Sequence, residues 1–297
     1  MGSQEERREC IARAADYDVV ITSYDLIRRD HELYENITFD YAIADEAQFI
    51  KNPETKNAVA VKKIKAKHRF ALTGTPVENN LGELWSIFDF IMPYYLGSYG
   101  SFRDKYETDV VRGDEGATER LKRIVKPFIL RRLKADVLKE LPAKMESILD
   151  APLEGEQKKL YEANLSLIRE SMRSTPDMSR VVVLSMLTKL RQICCDPSLV
   201  YPDYTGNSAK TDACMELIET AVEGGHKILL FSQFTSMLDV IRRKLMEKGI
   251  SHYVLKGDTP KSERLRLVSK FNENDVKVFL ISLKAGGTGI NLTGADV

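Results

Sequence analysis

Apolar and polar positions in the first third of the chain follow the pattern of strands that alternate with helices. Short apolar runs predict strands at Val19–Thr22, Phe39–Ala44 and Arg69–Leu72, after a charged helix over Arg7–Ala15. Because strands that alternate with helices are typical of parallel sheets, this part of the sequence predicts an α/β unit.

The helix that follows the third strand has the clearest signal in this part of the chain. Asn80 stands where a cap is expected and Glu83 follows three positions later, which is the spacing of a capping box. The apolar positions of this helix are Leu81, Leu84, Ile87, Phe88 and Ile91. They recur at helical spacing, so we expect them, together with Trp85, to face the core.

The strand and helix alternation returns near Gly206. Strands are predicted at Lys227–Phe231, Tyr253–Leu255 and Val276–Ile281, the last of them buried. A helix over Ser236–Lys248 is expected to end at Gly249 and to turn Met237, Leu238, Ile241 and Leu245 inward. A second helix is expected to have Thr259 as its cap, Pro260 at its start, and Leu265, Val268 and Phe271 on its inner face.

Between these parts, from Met92 to Asp203, helix patterns dominate and prolines separate the segments. The sequence therefore predicts three regions: a partial α/β lobe over residues 1–91, a helical protrusion and bridging segment over residues 92–205, and a second partial α/β lobe over residues 206–297.

Two polar motifs directly follow predicted strands. Asp45-Glu46-Ala47-Gln48 follows the second strand, and Thr73-Gly74-Thr75-Pro76 follows the third. Chemistry in open α/β sheets gathers at the carboxyl ends of strands, so both motifs are expected at one edge. There an Asp can hold Mg²⁺ through water and a Glu can orient the water that attacks a phosphate. The alternative is that the two acids only cap the next helix.

The ordered set of motifs resembles the Swi/Snf-like double-stranded-DNA translocases, a branch of the superfamily-two helicases. The segments that carry the resemblance are Val19–Tyr24, Asp45–Asn52, Leu72–Asn79, Glu83–Phe90, Pro127–Lys134, Leu190–Cys194, Ile228–Phe234 and Ser282–Leu292. The resemblance implies two partial RecA-like helicase lobes with an α-helical insertion between them. It further implies ATP and Mg²⁺ as cofactors and an ATP-dependent motor that translocates along or remodels double-stranded DNA.

The resemblance also assigns roles to single residues. Asp45 and Glu46 would be catalytic, with Asp45 holding Mg²⁺ through water. The nucleotide site would contain Asp45, Glu46, Gln48, Thr73, Gly74, Thr75 and Gly287. DNA phosphates would be contacted by Thr22, Ser23, Ser232, Gln233, Lys284 and Thr288. These contacts would hold the backbone without reading the sequence of bases.

Two family features do not occur in this sequence. It contains no Gly-x-x-x-x-Gly-Lys-Ser/Thr loop, and it stops short of the motif that supplies the arginine for phosphoryl transfer. We therefore expect an incomplete fragment that does not hydrolyse ATP alone. Two alternatives stay open: a non-hydrolysing scaffold that binds nucleic acid or protein, and an RNA-directed helicase.

Composition and charge limit the partners, location and metal sites that can be expected of this protein. The 44 basic and 44 acidic residues balance, so net charge gives no argument for nucleic-acid binding. Lysines and an arginine between Lys62 and Arg69 form either a DNA-binding patch or a solvated face.

The sequence contains no long apolar run and no signal peptide, so no membrane role is expected. The protein should therefore be intracellular, in the cytoplasm or nucleoid of a bacterium or in the nucleus of a eukaryote. Four cysteines without a C-x-x-C pair argue against zinc.

Overall fold

The computed structural model describes residues 3–74, 80–111, 113–137, 145–175, 178–286 and 290–297. The chain divides into two compact units, Met1–Pro142 and Ala143–Val297. The helical residues between 92 and 205 are thus distributed over both units. The first and last lobes that the sequence predicts lie in different units, and each unit is described by itself.

The first unit contains a two-stranded sheet and eight α-helices among its described residues. Its strands are β1 (Thr38–Ala44) and β2 (Lys65–Ala71). Its helices are α1 (Gln4–Ala12), α2 (Tyr24–Asp30), α3 (Lys56–Lys62), α4 (Leu81–Ile91), α5 (Tyr99–Phe102), α6 (Thr108–Val111), α7 (Glu115–Val125) and α8 (Lys134–Val137). Short 3₁₀ turns occur at Ala14–Asp16, His31–Tyr34, Ala47–Ile50 and Lys126–Phe128, and a π-helical turn at Arg103–Glu107.

Strands β1 and β2 run parallel, with Thr38 opposite Lys65 and Ala44 opposite Ala71. One face of this sheet packs on a core that includes Ala44, Ala47, Ile50, Ala58, Val61 and Phe90. On the other face, Tyr41 stacks between His68 and Phe70, with ring centroids 5.2 and 6.2 Å away. This aromatic face is exposed, which is unusual for a parallel sheet, because such sheets are normally covered on both sides.

The predicted strand at Val19–Thr22 does not form. The segment has no regular secondary structure, none of the described residues forms a strand ladder with it, and Val19 and Ile21 are 72% and 92% exposed. A strand exists only through backbone hydrogen bonds to a neighbour, which an apolar run cannot guarantee. The predicted strands at β1 and β2 are confirmed, although β2 begins four residues earlier than expected.

Helix α4 begins and ends where the sequence predicts. Asn80 is its cap, with Oδ1 accepting from the Glu83 amide at 3.1 Å. Leu84, Trp85, Ile87 and Phe88 are buried, and Leu81 and Ile91 are partly buried. In a capping box the Glu83 side chain would accept from the Asn80 amide. In the structure it forms an ion pair with Lys51 at 3.3 Å.

Much of the basic cluster between Lys62 and Arg69 is engaged inside the first unit. Lys62 pairs with Asp89 at 2.9 Å, and Lys67 pairs with Asp40 at 2.6 Å. Arg69 donates to the carbonyls of Phe90 and Ile64 at 3.0 and 2.8 Å, and burial lowers its pKa. These contacts favour a structural role for the cluster over a DNA-binding patch.

The second unit contains a three-stranded parallel sheet in the order β3-β5-β4. Its strands are β3 (Ile228–Ser232), β4 (His252–Leu255) and β5 (Val278–Ser282). Its helices are α9 (Gly155–Ser174), α10 (Arg180–Cys195), α11 (Ala209–Glu223), α12 (Thr235–Glu247), α13 (Lys261–Glu273) and α14 (Leu283–Gly286), with a 3₁₀ turn at Pro197–Leu199. Every residue of the central strand β5 is buried, as the sequence predicts, and both units are of the α/β class that the sequence predicts.

Helix α12 confirms its predicted inner face, since Met237, Leu238, Ile241 and Leu245 are buried and Gly249 takes a left-handed φ of 67° just beyond the helix. Helix α13 corrects two expectations. Pro260 is its cap residue, while Thr259 Oγ1 instead accepts from the Lys256 amide at 3.1 Å. Leu265 is 71% exposed.

The position predicted for Leu265 on the inner face of α13 is taken by Leu267, which packs with Val268 and Phe271. Both leucines lie on the same helix, so only the placement of the helix on its sheet decides which one is buried. In the described part of the chain, no helix is long and apolar enough to span a bilayer.

Candidate active site

The motif Asp45-Glu46-Ala47-Gln48 and the residues Thr73 and Gly74, which begin the second motif, meet at the carboxyl ends of β1 and β2. The ladder continues past both strands, because the Leu72 amide donates to the Ala44 carbonyl at 2.8 Å and the Ala47 amide donates to the Leu72 carbonyl at 2.9 Å. Asp45 and Glu46 follow Ala44 and are exposed to solvent. The expectation that the two motifs share one edge of the sheet is confirmed for the described residues.

A chain of side-chain hydrogen bonds connects the two motifs. The Thr73 hydroxyl donates to Gln48 Oε1 at 2.8 Å, and Gln48 Nε2 donates to Glu46 Oε2 at 2.6 Å. The amide of Gln48 therefore uses its acceptor towards one motif and its donor towards the other. This Thr73–Gln48–Glu46 relay orients the carboxylate of Glu46. Gly74 is exposed, with open space where a Cβ would stand, whereas Thr75 lies outside the described residues.

Glu46 has the left-handed backbone conformation, with φ 50° and ψ 51°. Tyr94 is the only other non-glycine residue with a positive φ in the described part of the chain. An L-residue with a side chain seldom adopts this conformation, and such outliers cluster at functional sites. The Glu46 amide donates to Asp45 Oδ1 at 2.9 Å, which ties the two acids together.

Tyr24 contacts this acidic pair, a role that no pattern in the sequence indicated. Its hydroxyl donates to the Asp45 carbonyl at 2.6 Å, and its ring packs against Phe49 with centroids 5.7 Å apart. Burial, followed by the charges of Asp45 and Glu46, raises the pKa of Tyr24 to about 12. The signal in the sequence was its place at the end of the segment Val19–Tyr24, directly after Thr22 and Ser23.

The acids fit a magnesium ion that also binds phosphates. Asp45 is exposed, and one of its oxygens accepts the Glu46 amide, so the other oxygen remains for a metal or its water. In the described residues, no group of three or more His, Cys, Asp or Glu side chains could hold a metal by itself. Mg²⁺ commonly takes one or two carboxylates and completes its shell with water and substrate phosphates, so the donor set fits.

A second set of contacts anchors the 3₁₀ turn Ala47–Ile50 to helix α4. The buried Ser86 hydroxyl donates to the Ile50 carbonyl at 2.7 Å, and Lys51 pairs with Glu83 one turn away on α4. The turn that carries Gln48 is therefore bound on one side to β2 and on the other to α4. This double attachment holds the relay in place.

The first pair of predicted DNA contacts lies just before α2. Thr22 and Ser23 are both exposed. The Thr22 side chain lies near the hydroxyl of Tyr34, whose pKa is raised mainly by burial. Ser23 caps α2, with Oγ accepting from the Leu26 amide at 3.4 Å. A capping oxygen uses only a lone pair, so the Ser23 hydroxyl hydrogen can still be donated to a phosphate.

The remaining predicted DNA contacts that the structure describes lie in the second unit, at the carboxyl ends of β3 and β5. Ser232 ends β3 opposite Ser282, Gln233 is exposed after it, and Lys284 is exposed on α14. Gln233 accepts a hydrogen bond from Arg191 of α10. Gly287 and Thr288 lie outside the described residues.

Two arginines of the second unit hold these motifs. Arg191 lies in the segment Leu190–Cys194 that carries the resemblance, although nothing in the sequence indicated its contacts, and no pattern indicated Arg264. Arg191 also lies over the ring of Phe234, 5.7 Å from its centroid, so it binds both residues that follow Ser232. Arg264 of α13 donates to the Ala285 carbonyl at 3.1 Å, directly after Lys284. Both contacts join residues far apart in the sequence.

Comparison with known proteins decides the family. The family model of the SNF2-related domain matches residues 2–199, and that of the helicase conserved C-terminal domain matches residues 209–297. The chain belongs to the SNF2-related family. This membership agrees with the resemblance on which the two partial helicase lobes were predicted.

Similar proteins occur in a bacterium and in an animal. A putative ATP-dependent helicase/translocase of Bacillus subtilis is 40% identical over 290 residues, which cover 94% of this chain and 31% of that protein. A SWI/SNF-related, matrix-associated, actin-dependent regulator of chromatin (subfamily A member 1) of mouse is 36% identical over 295 residues, which cover 95% of this chain and 28% of that protein. The chain thus spans less than a third of these relatives. A solved SWI2/SNF2 ATPase core of Sulfolobus solfataricus, in complex with double-stranded DNA, is 38% identical, with a TM-score of 0.47 and coverage of 94% of this chain and 61% of that chain.

Proposed function

We propose that this chain carries the hydrolysis acids and part of the DNA-contacting surface of an ATP-dependent double-stranded-DNA translocase. The observation that carries the proposal is the Thr73–Gln48–Glu46 relay beside Asp45 at the carboxyl ends of β1 and β2. A helix cap would need only the acids, whereas the relay also orients one of them through a motif 25 residues away. Family membership and the names of the relatives support the same activity.

Each residue of the site has a distinct task in this proposal. Glu46 orients the attacking water and accepts its proton, and the relay keeps its carboxylate pointed in one direction. Asp45 would hold Mg²⁺ through water, and the ion would neutralise charge on the phosphates. Gln48, Thr73, Gly74 and Thr75 would relay the state of the bound nucleotide. Phosphoryl transfer depends on positioning and electrostatics, which is what such an arrangement supplies.

The DNA contacts would be made to phosphates. Thr22, Ser23, Ser232, Gln233, Lys284 and Thr288 offer hydroxyls, an amide and one ammonium group, which suit the backbone of a duplex more than base edges. Such contacts would let the protein move along DNA without regard to sequence. The Bacillus subtilis relative, a putative helicase/translocase, and the mouse relative, a regulator of chromatin, support this partner.

Substitution of the two acids in the complete protein encoded by the gene tests the hydrolysis roles. Glu46→Gln keeps an acceptor for Gln48 and is expected to lower kcat for ATP by about 10²- to 10⁴-fold while ATP and Mg²⁺ still bind. Asp45→Asn is expected to weaken Mg²⁺-dependent ATP binding itself. Asp40→Asn, an exposed acid of β1 paired with Lys67, is the matched control and should leave turnover unchanged. Full turnover in Glu46→Gln would refute the assignment.

The partner is tested by the same protein with different nucleic acids. Two duplex DNAs of unrelated sequence should stimulate ATPase activity equally and more strongly than single-stranded RNA. Lys284→Ala should reduce the slope of log affinity against log salt by about one unit. Lys248→Ala, which removes a lysine already paired with Glu219, should not change it. Stronger stimulation by RNA would favour an RNA-directed helicase, and duplex binding without any ATPase activity would favour a scaffold.

The 297 residues alone are expected to show no ATPase activity above background, with or without DNA. The sequence holds no phosphate-binding loop with its lysine, and loss of an arginine finger alone costs about 10³- to 10⁵-fold in rate. Robust hydrolysis by these residues alone would contradict the proposed division of roles.

A further inference from the structure

The peptide group that joins Asp45 to Glu46 is held at both ends. Its N–H donates to Asp45 Oδ1 at 2.9 Å, and its C=O accepts from the Tyr24 hydroxyl at 2.6 Å. The φ angle of Glu46 is the rotation about the bond that leaves this peptide group, so the two hydrogen bonds fix the plane from which the left-handed conformation starts. The first hydrogen bond is made within the motif, by the Asp45 side chain. Only the second one, from Tyr24 of α2, connects the peptide group to another helix or strand.

Tyr24 is well placed to hold that carbonyl rigidly. Its ring packs on Phe49 and lies against the cluster that contains Ala44, Ala47 and Ile50. A tyrosine fixed by its ring has little freedom left, since only its hydroxyl can turn. The hydroxyl therefore acts as a fixed donor towards the backbone of the acidic motif.

Tyr24 also belongs to the segment that is proposed to bind DNA. It is the first residue of α2 and directly follows Ser23, the cap of that helix. Thr22 and Ser23 are exposed, whereas Tyr24 is half-buried and turned towards Asp45. The predicted phosphate contact and the hydrogen bond to the acidic motif thus come from adjacent residues, Ser23 and Tyr24.

We propose that Tyr24 is a positioning residue that holds Glu46 in its left-handed conformation and couples it to DNA bound at Thr22 and Ser23. A phosphate that binds Ser23 shifts the start of α2, and the Tyr24 hydroxyl carries the shift to the Asp45 carbonyl and so to the direction of the Glu46 side chain. This inference rests on the proposed function, because it assigns Glu46 to hydrolysis and Thr22 and Ser23 to DNA.

Tyr24→Phe tests the proposal, because it keeps the ring against Phe49 and removes only the hydroxyl. In the complete protein, kcat with saturating duplex DNA is expected to fall about 3- to 10-fold, the effect of one hydrogen bond. The stimulation ratio with and without DNA should fall too, whereas KM for ATP and the affinity for DNA should stay within about twofold. Tyr41→Phe removes the same group from the outer face of β1 and should change none of these values.

A second measurement needs no enzymatic activity. Tyr24 is expected to help impose the left-handed conformation, so the stability difference between Glu46→Gly and Glu46→Ala should shrink in the Tyr24→Phe background. Urea unfolding of the four variants gives this coupling as a double-mutant cycle. A cycle that shows no coupling would overturn the positioning role.

The outcomes distinguish failure of the Tyr24 role from failure of the proposed function. An active wild-type protein whose kcat, DNA stimulation and cycle are unaffected by Tyr24→Phe would overturn the role of Tyr24 and leave the proposed function intact. A wild-type protein that binds duplex DNA and does not hydrolyse ATP would overturn both. A raised KM with unchanged kcat would place Tyr24 in ATP binding and also contradict the proposal.

Discussion

The left-handed conformation of Glu46 predicts an unusual order of stability among its variants. Glu46→Ala and Glu46→Gly both remove the carboxylate and its bond to Gln48, so their difference isolates the backbone. At φ 50° an alanine carries the steric penalty of its Cβ, and glycine does not. The glycine variant should therefore be the more stable of the two.

Two opposing effects set the magnitude. The left-handed region costs an L-residue about 1 to 2 kcal/mol relative to ordinary helical backbone. Glycine loses about 0.4 to 1 kcal/mol through the greater freedom of its unfolded chain. The steric effect is larger, so the free energy of unfolding of Glu46→Gly should exceed that of Glu46→Ala by about 0.5 to 1 kcal/mol.

Glu119 provides the matched control. It is an exposed glutamate in the middle of α7, in the same unit, and pairs with Lys122 at 2.8 Å. At ordinary helical backbone the order reverses, so Glu119→Gly should be less stable than Glu119→Ala by about 1 kcal/mol.

Urea unfolding followed by tryptophan fluorescence is the assay. The chain has one tryptophan, Trp85, which is 9% exposed on α4 and donates to the Gly97 carbonyl at 3.0 Å, so its emission reports the first unit alone. If glycine is less stable than alanine at both positions by the same amount, Glu46 is not left-handed in solution, and the case for a held peptide group fails with it.

Two further predictions concern stability. Arg7 donates a hydrogen bond to the buried Asp30 at 2.7 Å, and this bond lowers the pKa of Asp30. The contact should therefore stabilise the folded protein fully above the pKa of an unfolded aspartate, about 3.9. The stabilisation should be lost as the pH falls through the lower pKa of Asp30 in the folded protein. Urea midpoints between pH 6 and pH 2 should therefore decline less steeply for Arg7→Met than for the wild type, and parallel curves would contradict the link. Leu245→Ala, at a fully buried position of α12, should destabilise the second unit by about 2 to 5 kcal/mol, whereas Leu265→Ala, at a position 71% exposed, should cost less than about 0.5 kcal/mol by circular dichroism. Equal losses would mean that α13 packs as the sequence pattern suggested.

The sequence predicted those elements whose signals are local. Helices α4 and α12 combine an apolar stripe at helical spacing with a cap or a terminal glycine, and the structure confirms both. The strand expected at Val19–Thr22 failed because its apolar run has no partner strand among the described residues. The prediction that Leu265 is buried was wrong, because helical spacing is compatible with several buried faces and only packing on the sheet selects one.

The candidate site shows the same division. Asp45, Glu46, Gln48 and Thr73 could be expected near one another, because the ends of parallel strands meet at one edge of a sheet. The contacts of Tyr24 with Asp45 and of Arg191 with Gln233 join residues 21 and 42 positions apart. No periodicity or motif relates such pairs, so only the folded backbone could place them.

The strand order β3-β5-β4 also governs how the second unit folds. Strands β3 and β4 pair only with β5 in the described sheet, and the paired residues Ile228 and Val278 are 50 positions apart. Neither outer strand gains its ladder until β5, which follows both of them in the sequence, arrives between them, and closing so long a loop is slow. The rate-limiting step of folding should therefore be the insertion of β5, the same strand that leads directly into Lys284.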